Sequence, residues 1–238
     1  MKILISGYGK MGREIEAAIP QRGHTIAGIF DNTSDWENNA SILNQADVVI
    51  DFSIPEVAAD NIFRCLDAEI PVVCGTTAWI DRLPAITERC RKKRGSLFYA
   101  PNFSIGVNIL FEINKRLAQL MNQHPEFEVS IEETHHVKKL DAPSGTAIAL
   151  TEGMLTMLQT KKGWCKSPDI EEGKIPVTSI REGDIPGIHK VIYSSQNEEL
   201  SLIHHAFSRQ GFALGAITAA EWVINKKGIF TMRDLLQL

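Results

Sequence analysis

The segment EETHHVKKLDAPSGTA, at residues 132–147, concentrates proton donors and positive charge within a short stretch. His135 and His136 can exchange protons near neutral pH, because the unperturbed pKa of histidine is about 6.5. Lys139 adds a cation and another proton donor. The chemistry that this segment favours is proton transfer to a bound anion whose charge is matched by the surrounding donors.

A helix is predicted to start directly after these groups, at Pro143 and Ser144, with Ser144 as its N-cap. The backbone amides of Gly145 and Thr146, with the Thr146 hydroxyl, would then hold a carboxylate at the helix N-terminus. Simpler interpretations stay open: paired histidines at a strand end can face solvent, lysines can form a solvated rim, and Asp141 can turn the chain. The spacing of the residues offers no third ligand for zinc, so we expect no metal.

A second motif, G-Y-G-K-M-G, follows the apolar run KILIS and precedes a helical pattern. In that context Gly7 permits a tight turn, Gly9 lets backbone approach a pyrophosphate, and Gly12 lets helix and strand pack closely. Asp31 ends the next strand, where an acidic residue binds a ribose hydroxyl. The sequence therefore predicts a dinucleotide site made of Gly7, Tyr8, Gly9, Lys10, Met11, Gly12 and Asp31.

NADH is favoured over NADPH at this site, because Asp31 would repel a 2′-phosphate and is followed by Asn32 rather than by arginine. Lys10 opposes that preference, since its ammonium group is placed to reach such a phosphate. A dinucleotide site combined with a cationic donor cluster indicates hydride transfer to an anionic substrate.

The elements that must position these groups follow two patterns. Over the first hundred residues, helical patterns alternate with the runs KILIS, HTIAGIF, ADVVIDF, IPVVCG and SLFYA. This alternation predicts a parallel sheet with helices on both faces. One long helix then spans about 105–123, and a run of strands follows that is interrupted only by a helix near 145–159.

The predicted fold is therefore α/β, with two domains. Residues 1–105, completed by 213–238, form a Rossmann-type dinucleotide-binding domain. Residues 106–212 form a smaller α+β domain, which carries the donor segment and so would bind the substrate, with an open mixed or mostly antiparallel sheet.

Composition narrows the classes of partner. The chain has 238 residues, a net charge of −4 and a pI near 6.0, which argues against a nucleic-acid partner. No apolar run approaches the roughly 18 residues of a membrane span, and the short N-terminal run leads into glycines rather than a signal-peptide cleavage site. Four scattered cysteines without a C-x-x-C pair indicate reduced thiols and a cytoplasmic location.

The motif H-H-x-x-K-x-D-A-P-S-G-T-A, from His135 to Ala147, resembles the signature of the dihydrodipicolinate reductase (4-hydroxy-tetrahydrodipicolinate reductase) family. The likeness extends along the whole chain. Its further segments are D-F-S-x-P (51–55), C-G-T-T (74–77), A-P-N-F-S-x-G-V-N (100–108), S-R-x-x-F-A-x-G-A (208–216) and F-x-M-R-D (230–234).

The resemblance implies NAD(P)H-dependent reduction of 4-hydroxy-tetrahydrodipicolinate, through its dehydrated form, to tetrahydrodipicolinate in diaminopimelate and lysine biosynthesis. It implies that His135 and Lys139 are catalytic, with Lys139 as the proton donor. Substrate carboxylates would be bound by His136, Ser144, Gly145 and Thr146. The nicotinamide nucleotide would also be lined by Gly75, Thr76, Thr77, Ala100, Pro101, Asn102 and Phe103. A homotetramer joined through the second domain's sheet is implied as well.

This chain departs from the family pattern at several positions. Its glycine turn is one residue shorter than the commonest form, and Ala78 replaces a frequent glycine. Val137 and Lys138 replace a more basic and aromatic pair, and Thr218 replaces an arginine of some members. These changes bear on cofactor preference and substrate contacts. Two alternatives stay open: another NAD(P)-dependent dehydrogenase of an amino-acid-type substrate, or a non-catalytic NADH-sensing protein.

Overall fold

The computed structural model describes residues 1–238. The chain divides into two compact units, the first made of Met1–Ile105 with Arg209–Leu238 and the second of Gly106–Ser208. None of its helices combines the length and the apolar character that a membrane-spanning helix requires.

The first unit is built on a six-stranded parallel sheet. Its strands are β1 (Lys2–Ser6), β2 (Thr25–Phe30), β3 (Val48–Asp51), β4 (Val72–Cys74), β5 (Ser96–Tyr99) and β11 (Gly228–Phe230). They lie in the order β11-β5-β4-β3-β1-β2. The predicted α/β class and its parallel sheet are confirmed.

Helices cover both faces of this sheet because successive strand residues point to opposite sides. The helices are α1 (Lys10–Ala18), α2 (Thr33–Asn38), α3 (Ala40–Leu43), α4 (Pro55–Asp67), α5 (Leu83–Lys93), α8 (Gln210–Val223) and α9 (Met232–Leu236). Ile3 and Ile5 pack on one face in a core with residues of α1 and α8, while Leu4 packs on the other face with residues of α4 and α5. Because both sides of each strand are covered by helices, nearly all residues of these strands are apolar.

The second unit holds a five-stranded sheet in the order β10-β9-β6-β8-β7. Its strands are β6 (Glu128–His135), β7 (Gly163–Lys166), β8 (Lys174–Arg181), β9 (Gly187–Ser194) and β10 (Glu199–Ala206). The pairs β10/β9 and β9/β6 are antiparallel, whereas β6/β8 and β8/β7 are parallel. The sheet is therefore mixed, as one of the two predicted arrangements had it, and it is not mostly antiparallel, because two of its four strand pairs are parallel.

Two helices pack on one face of the second sheet: α6 (Ile105–Met121) and α7 (Gly145–Leu155). Leu110 and Met154 meet Ile131 and Val191 in one apolar core. Burial alternates strictly along β9, so the residues that share this face include polar ones as well as apolar ones.

Candidate active site

The glycine turn follows β1 and leads into α1. Gly7 has φ +85°, and a Cβ there would lie 2.4 Å from the carbonyl oxygen of Phe52. A Cβ at Gly12 would lie 2.2 Å from the carbonyl oxygen of Gly7, so the helix can approach the turn only with glycine. Gly9, by contrast, borders open space, and no side chain caps α1 there. The turn thus presents backbone amides to a ligand that approaches Gly9.

A cavity of about 690 Å³ lies beside this turn. Four residues expected at the dinucleotide site line it: Gly7, Tyr8, Gly9 and Asp31. Asp31 Oδ1 accepts a hydrogen bond from the Tyr8 amide at 2.6 Å, which ties the end of β2 to the turn. The remaining lining residues are Ser6, Phe30, Asn32, Thr33, Trp36, Phe52, Ser53, Ile54, Val57, Asp60, Asn61 and Arg64.

Other expected nucleotide residues lie outside this cavity. Lys10 is exposed at the first position of α1, and Met11 packs against the first unit's core. Within the cavity, Trp36 and Arg64 were not anticipated from the sequence. The Arg64 guanidinium lies 5.6 Å from the centre of the Trp36 ring, a cation–π distance. Both residues line the cavity.

A buried carboxylate organises the carboxyl ends of three strands. Asp51 is fully buried at the end of β3. Its Oδ2 accepts hydrogen bonds from Ser6 Oγ at 2.6 Å and Asn61 Nδ2 at 3.0 Å. Its Oδ1 accepts from Ser53 Oγ and Thr76 Oγ1, each at 2.9 Å. Thr76, expected at the nicotinamide, is therefore held by the same carboxylate that holds the end of β1.

The loops after β4 and β5 lie against this edge. A Cβ at Gly75 would lie 2.2 Å from the Phe52 ring, so only glycine fits there. Thr77 is exposed, and Ala78, which follows it, has φ +62°, a left-handed conformation that favours glycine.

The segment after β5 is anchored by its ends. The Ala100 amide donates to the Cys74 carbonyl at 3.2 Å, and the Phe103 ring is buried 5.7 Å from the Phe52 ring. Pro101, between them, is exposed, and Asn102 Oδ1 accepts from the Ser104 amide at 2.9 Å. This anchoring leaves the exposed part of the segment at the carboxyl edge of the sheet, where ligands bind in such folds.

The second unit contains a buried charged cluster centred on Glu133, which is 0% exposed. Its Oε1 accepts from Arg181 Nη2 at 2.9 Å and from the Ser144 amide at 3.3 Å. Its Oε2 contacts Nδ1 of His135, a side chain that is only 9% exposed. Burial opposes ionisation of Glu133, but hydrogen bonds from His135, Ser179 and Arg181 outweigh it and lower its pKa to about 2.

The strand register explains how this cluster forms. Glu133 lies opposite Ser179 of β8 on one side and His189 of β9 on the other. Arg181 lies opposite His135. All these contacts join strands that are distant in sequence, so they depend on the pairing of β6 with both neighbours.

His189 joins the cluster to the start of α7. Ser144 caps that helix as predicted, its Oγ accepting from the Ala147 amide at 3.2 Å. His189 Nε2 lies 3.2 Å from the same Oγ. Burial, together with the nearby His135, lowers the pKa of His189 to about 3. The Ser144 side chain is thus used within the protein, to fix the helix start.

The cationic loop lies beside this cluster. Lys139 Nζ is 2.8 Å from Asp141 Oδ1, and the lysine side chain is 22% exposed. Partial burial raises the pKa of Asp141, but the hydrogen bond and charge of Lys139 outweigh it and leave that pKa below its usual value. The His136 amide donates to the Ile185 carbonyl at 2.8 Å, which holds the loop against the turn between β8 and β9.

The N-terminus of α7 faces outward at its first residue. Gly145 is exposed, a Cβ added there would meet no atom within 4 Å beyond its own turn of helix, and Thr146 is half-buried. Their amides belong to the first helical turn, where backbone donors lack helical acceptors. The geometry therefore provides anion-binding donors next to the loop that carries Lys139.

Glu133, His135 and His189 also have the residue types of a metal site, with ligand atoms within 4.8 Å of one another. Sequence spacing did not reveal His189 as a third ligand, because it arrives from another strand. Arg181 already neutralises the same carboxylate at 2.9 Å, so a divalent cation would face a guanidinium group. The cluster is better described as a buried hydrogen-bonded ion pair.

Sequence reasoning missed Glu133, Arg181 and His189. One signal was available: Glu133 shares its strand face with the apolar residues Ile131 and Val129, two and four positions away. A charged residue on the buried face of a strand needs a partner. The identity of that partner could not be predicted from the sequence, because it depends on the register in which β6 pairs with its neighbours.

Together, the parallel sheet, its glycine turn and the proton-donor loop define an NAD(P)H-dependent oxidoreductase with two units. Comparison with known proteins makes the assignment specific. The chain belongs to the dihydrodipicolinate reductase family: the model of its N-terminal part matches residues 1–103, and that of its C-terminal part matches residues 106–236.

Curated relatives agree along the full length. The chain is 45% identical to a 4-hydroxy-tetrahydrodipicolinate reductase of Christiangramia forsetii, with 99% of this chain and 98% of that protein covered. It is 30% identical to one of Neisseria meningitidis serogroup B, with 100% and 98% covered.

Solved structures share the fold. A dipicolinate-bound dihydrodipicolinate reductase from Paenisporosarcina sp. TG-14 superposes with a TM-score of 0.75 at 22% identity, covering 97% of each chain. A myo-inositol dehydrogenase from Corynebacterium glutamicum gives 0.55 at 14% identity, covering 96% of this chain and 90% of that one. The architecture is thus common to several dehydrogenases.

Proposed function

We propose that this protein catalyses the NAD(P)H-dependent reduction of 4-hydroxy-tetrahydrodipicolinate, after loss of water, to tetrahydrodipicolinate in diaminopimelate and lysine biosynthesis. The observation that carries the proposal is the cluster in the second unit: one buried carboxylate, Glu133, contacts His135 and the start of α7. The family's signature segment is built around it. A dicarboxylate fits a loop with a lysine and an open helix N-terminus.

Lys139 is the proposed proton donor. Reduction adds one hydride and one proton to the conjugated imine of the dehydrated substrate, so negative charge develops on the ring as the hydride arrives. Lys139 Nζ can neutralise that charge and deliver the proton, while Asp141 orients the ammonium group at 2.8 Å. His135 assists by presenting its Nε2, because Nδ1 is turned towards Glu133.

The substrate carboxylates are assigned to the donors around the α7 N-terminus. We propose that Gly145 and Thr146 bind one of them through backbone amides and the Thr146 hydroxyl, and that His136 contributes to binding. Ser144 acts through the helix cap, which fixes these amides in place. The donors are already oriented before substrate arrives, so little reorganisation is needed.

The dinucleotide is assigned to the first unit. When bound, the reduced nicotinamide supplies the hydride. Gly7, Tyr8, Gly9 and Asp31 would hold the pyrophosphate and the adenosine ribose, with Lys10, Met11 and Gly12 forming the start of α1. The loops Gly75–Thr77 and Ala100–Phe103, at the carboxyl edge of the sheet, would hold the nicotinamide half.

NADH is the proposed preferred cofactor. Asp31 lines the cavity, and a second carboxylate lies next to it: Asp35 Oδ2 accepts from the amides of Asp31 at 2.7 Å and Asn32 at 3.1 Å. Backbone donors that could bind a 2′-phosphate after β2 are therefore already occupied by an anion. Arg64, which lines the same cavity, is a cation that can attract a 2′-phosphate, and it therefore opposes the preference for NADH in part.

We propose a cytoplasmic homotetramer. Strand β10 forms one edge of the second sheet, and its residue Ile203, on the face away from the helices, is 60% exposed. Phe207, directly after the strand, is 85% exposed. A second copy of the chain covering this surface would bury the apolar side chains and protect the strand edge. Light scattering on the purified protein measures the assembly directly.

The activity is tested by following oxidation of NADH or NADPH spectrophotometrically while a synthase forms the substrate from pyruvate and aspartate semialdehyde. Oxidation that requires the synthase supports the reductase. Lys139→Ala should lower kcat roughly 10²-fold or more, as expected for loss of a general acid, with NADH affinity unchanged. Lys138→Ala is the matched control, because Lys138 is the exposed neighbour.

Turnover of Lys139→Ala within a few-fold of wild type would remove lysine as the proton donor. The two alternatives give different results in the same assay. Oxidation with another amino-acid-type substrate, and none with the synthase product, would identify a different dehydrogenase. Tight NADH binding without oxidation of any imine substrate would identify a sensor.

A further inference from the structure

Glu133 is unusual among the charged residues of the chain, because its carboxylate is completely buried in the face of β6 that packs on the helices. Moving an unpaired carboxylate out of water costs several kcal/mol, so a buried one persists only where its partners compensate. Here the compensation comes from a full cation, Arg181 Nη2 at 2.9 Å, and from a backbone amide.

Each hydrogen-bonding partner of Glu133 either belongs to the proposed active site or contacts a residue of it. His135 contacts Oε2 through Nδ1, an atom with no other hydrogen-bonding partner. The Ser144 amide fixes the residue that caps α7. Arg181 Nη2 donates also to the Asp141 carbonyl at 2.6 Å, and the Asp141 side chain holds Lys139.

A carboxylate can only accept hydrogen bonds, so His135 must carry a proton on Nδ1 when it faces Glu133. Nε2 is then the nitrogen whose protonation can change during the reaction. Its position is defined from the other side by Gly187: a Cβ there would lie 3.0 Å from His135 Nε2. The ring is held between a carboxylate and a residue that has no side chain.

We propose that Glu133 is the positioning residue of this active site, holding His135 in the Nδ1-protonated tautomer and fixing the α7 N-terminus and the Lys139 loop relative to it. This inference rests on the proposed function for its catalytic consequence, but not for the tautomer. The low pKa of Glu133, about 2, keeps the carboxylate charged at any pH at which the protein would work.

Glu133→Gln is the sharpest variant, because the side chain keeps its size while one oxygen becomes an amide donor. If that amide faces His135, Nδ1 must accept instead of donate, and the proton moves to Nε2. We expect kcat to fall roughly 10²-fold or more, by analogy with the loss of an orienting carboxylate next to a histidine. The Kd of NADH, which binds the other unit, should stay within two-fold.

Glu132→Gln is the matched control, since Glu132 is the adjacent residue and points to the opposite face of β6. It should leave kcat, NADH affinity and the His135 tautomer unchanged. The tautomer is measured by long-range ¹H–¹⁵N correlation spectra of the imidazole, with the His135 signals assigned by their loss in His135→Gln.

Wild-type spectra decide the first part of the proposal even if Glu133→Gln does not fold, or if the proposed substrate is wrong. A His135 ring protonated on Nε2 alone would overturn it. Retention of kcat within three-fold in folded Glu133→Gln would also overturn it. Absence of activity in the wild-type coupled assay, with the Nδ1 tautomer present, would refute the proposed function and leave the positioning role of Glu133 intact.

Discussion

Replacing Asp51 by asparagine should destabilise the first unit strongly, although the side chain keeps its shape. Asp51 is fully buried and accepts four side-chain hydrogen bonds from O–H and N–H donors, on Ser6, Asn61, Ser53 and Thr76, beside a weaker one from the Cys74 thiol at 3.8 Å. An asparagine is neutral and has one acceptor oxygen, so all four donors lose a charged acceptor and two of them face an NH₂ group instead.

The size of the effect depends on which two donors face the new NH₂ group. An amide nitrogen in place of Oδ2 would face the Asn61 amide, donor against donor. In place of Oδ1 it would face the Ser53 and Thr76 hydroxyls, which can rotate to accept. The second arrangement therefore costs less free energy of folding. Each of the four bonds changes from about 1.5–3 kcal/mol with a charged acceptor to about 0.5–1.5 kcal/mol with a neutral partner, a loss of ~4–6 kcal/mol in all. Burying a neutral amide costs less than burying a carboxylate, so the net loss is ~2–4 kcal/mol.

Urea unfolding followed by tryptophan fluorescence measures this loss, since Trp36, Trp79 and Trp222 all lie in the first unit. Asp47→Asn is the matched control. Asp47 precedes the same strand at its opposite end, is exposed, and accepts from the Lys2 amide at 2.6 Å; its replacement should cost less than about 1 kcal/mol. NADH affinity should also fall in Asp51→Asn, because Thr76 loses its anchor. A stability of Asp51→Asn within about 1 kcal/mol of wild type would refute the reasoning.

Two further predictions concern cofactor choice and pH. Asp35→Asn should raise the ratio of kcat/KM for NADPH to that for NADH several-fold, because it removes a negative charge beside the proposed ribose site; the ratio is measured in the coupled assay. The unfolding free energy should fall as the pH drops below about 6.5, because the buried His189, with its pKa near 3, binds its proton only in the unfolded chain. That loss is ~2 kcal/mol by pH 5 and should be much smaller in His189→Gln.

Each of these has its own check. Asp234 makes the same capping box at α9 that Asp35 makes at α2, and it does not line the cavity. Asp234→Asn should therefore leave the cofactor ratio unchanged, and an equal shift in both variants would mean that helix capping, not charge, is responsible. For His189, urea unfolding at pH 5 and pH 7 is compared between wild type and variant. An equal pH dependence in the two would show that His189 does not contribute.

The strands and helices with strong local patterns were predictable from the amino-acid sequence. The apolar run KILIS, the glycine turn and the alternation that follows are local signals, and the parallel sheet they imply is present. The N-cap predicted at Ser144 is confirmed as well. Such features depend on residues within a few positions of one another, where side-chain periodicity and backbone preference act directly.

Two short strands were not predicted, because neither lies in a continuous apolar run like those that contain β3, β4 and β5. The strand β11 (Gly228–Phe230) exists because it pairs with β5, and β7 (Gly163–Lys166) because it pairs with β8. The parallel pairing of β6 with β8 was missed for a related reason: strand direction depends on how the chain crosses between strands, not on the composition of either strand.

The residues of the proposed active site also fall into a group that was predictable from the sequence and a group that was not. His135, Lys139, Ser144 and their neighbours are contiguous in sequence, so their chemistry was readable as a segment. Glu133 lies next to them, yet its role depends on Arg181 and His189, 48 and 56 residues further along. Hydrogen-bonded register places those side chains beside it, and register is set by the pairing of whole strands. The donors that do the proposed chemistry are therefore local features of the sequence, whereas the carboxylate that orients them becomes effective only when β6, β8 and β9 are paired.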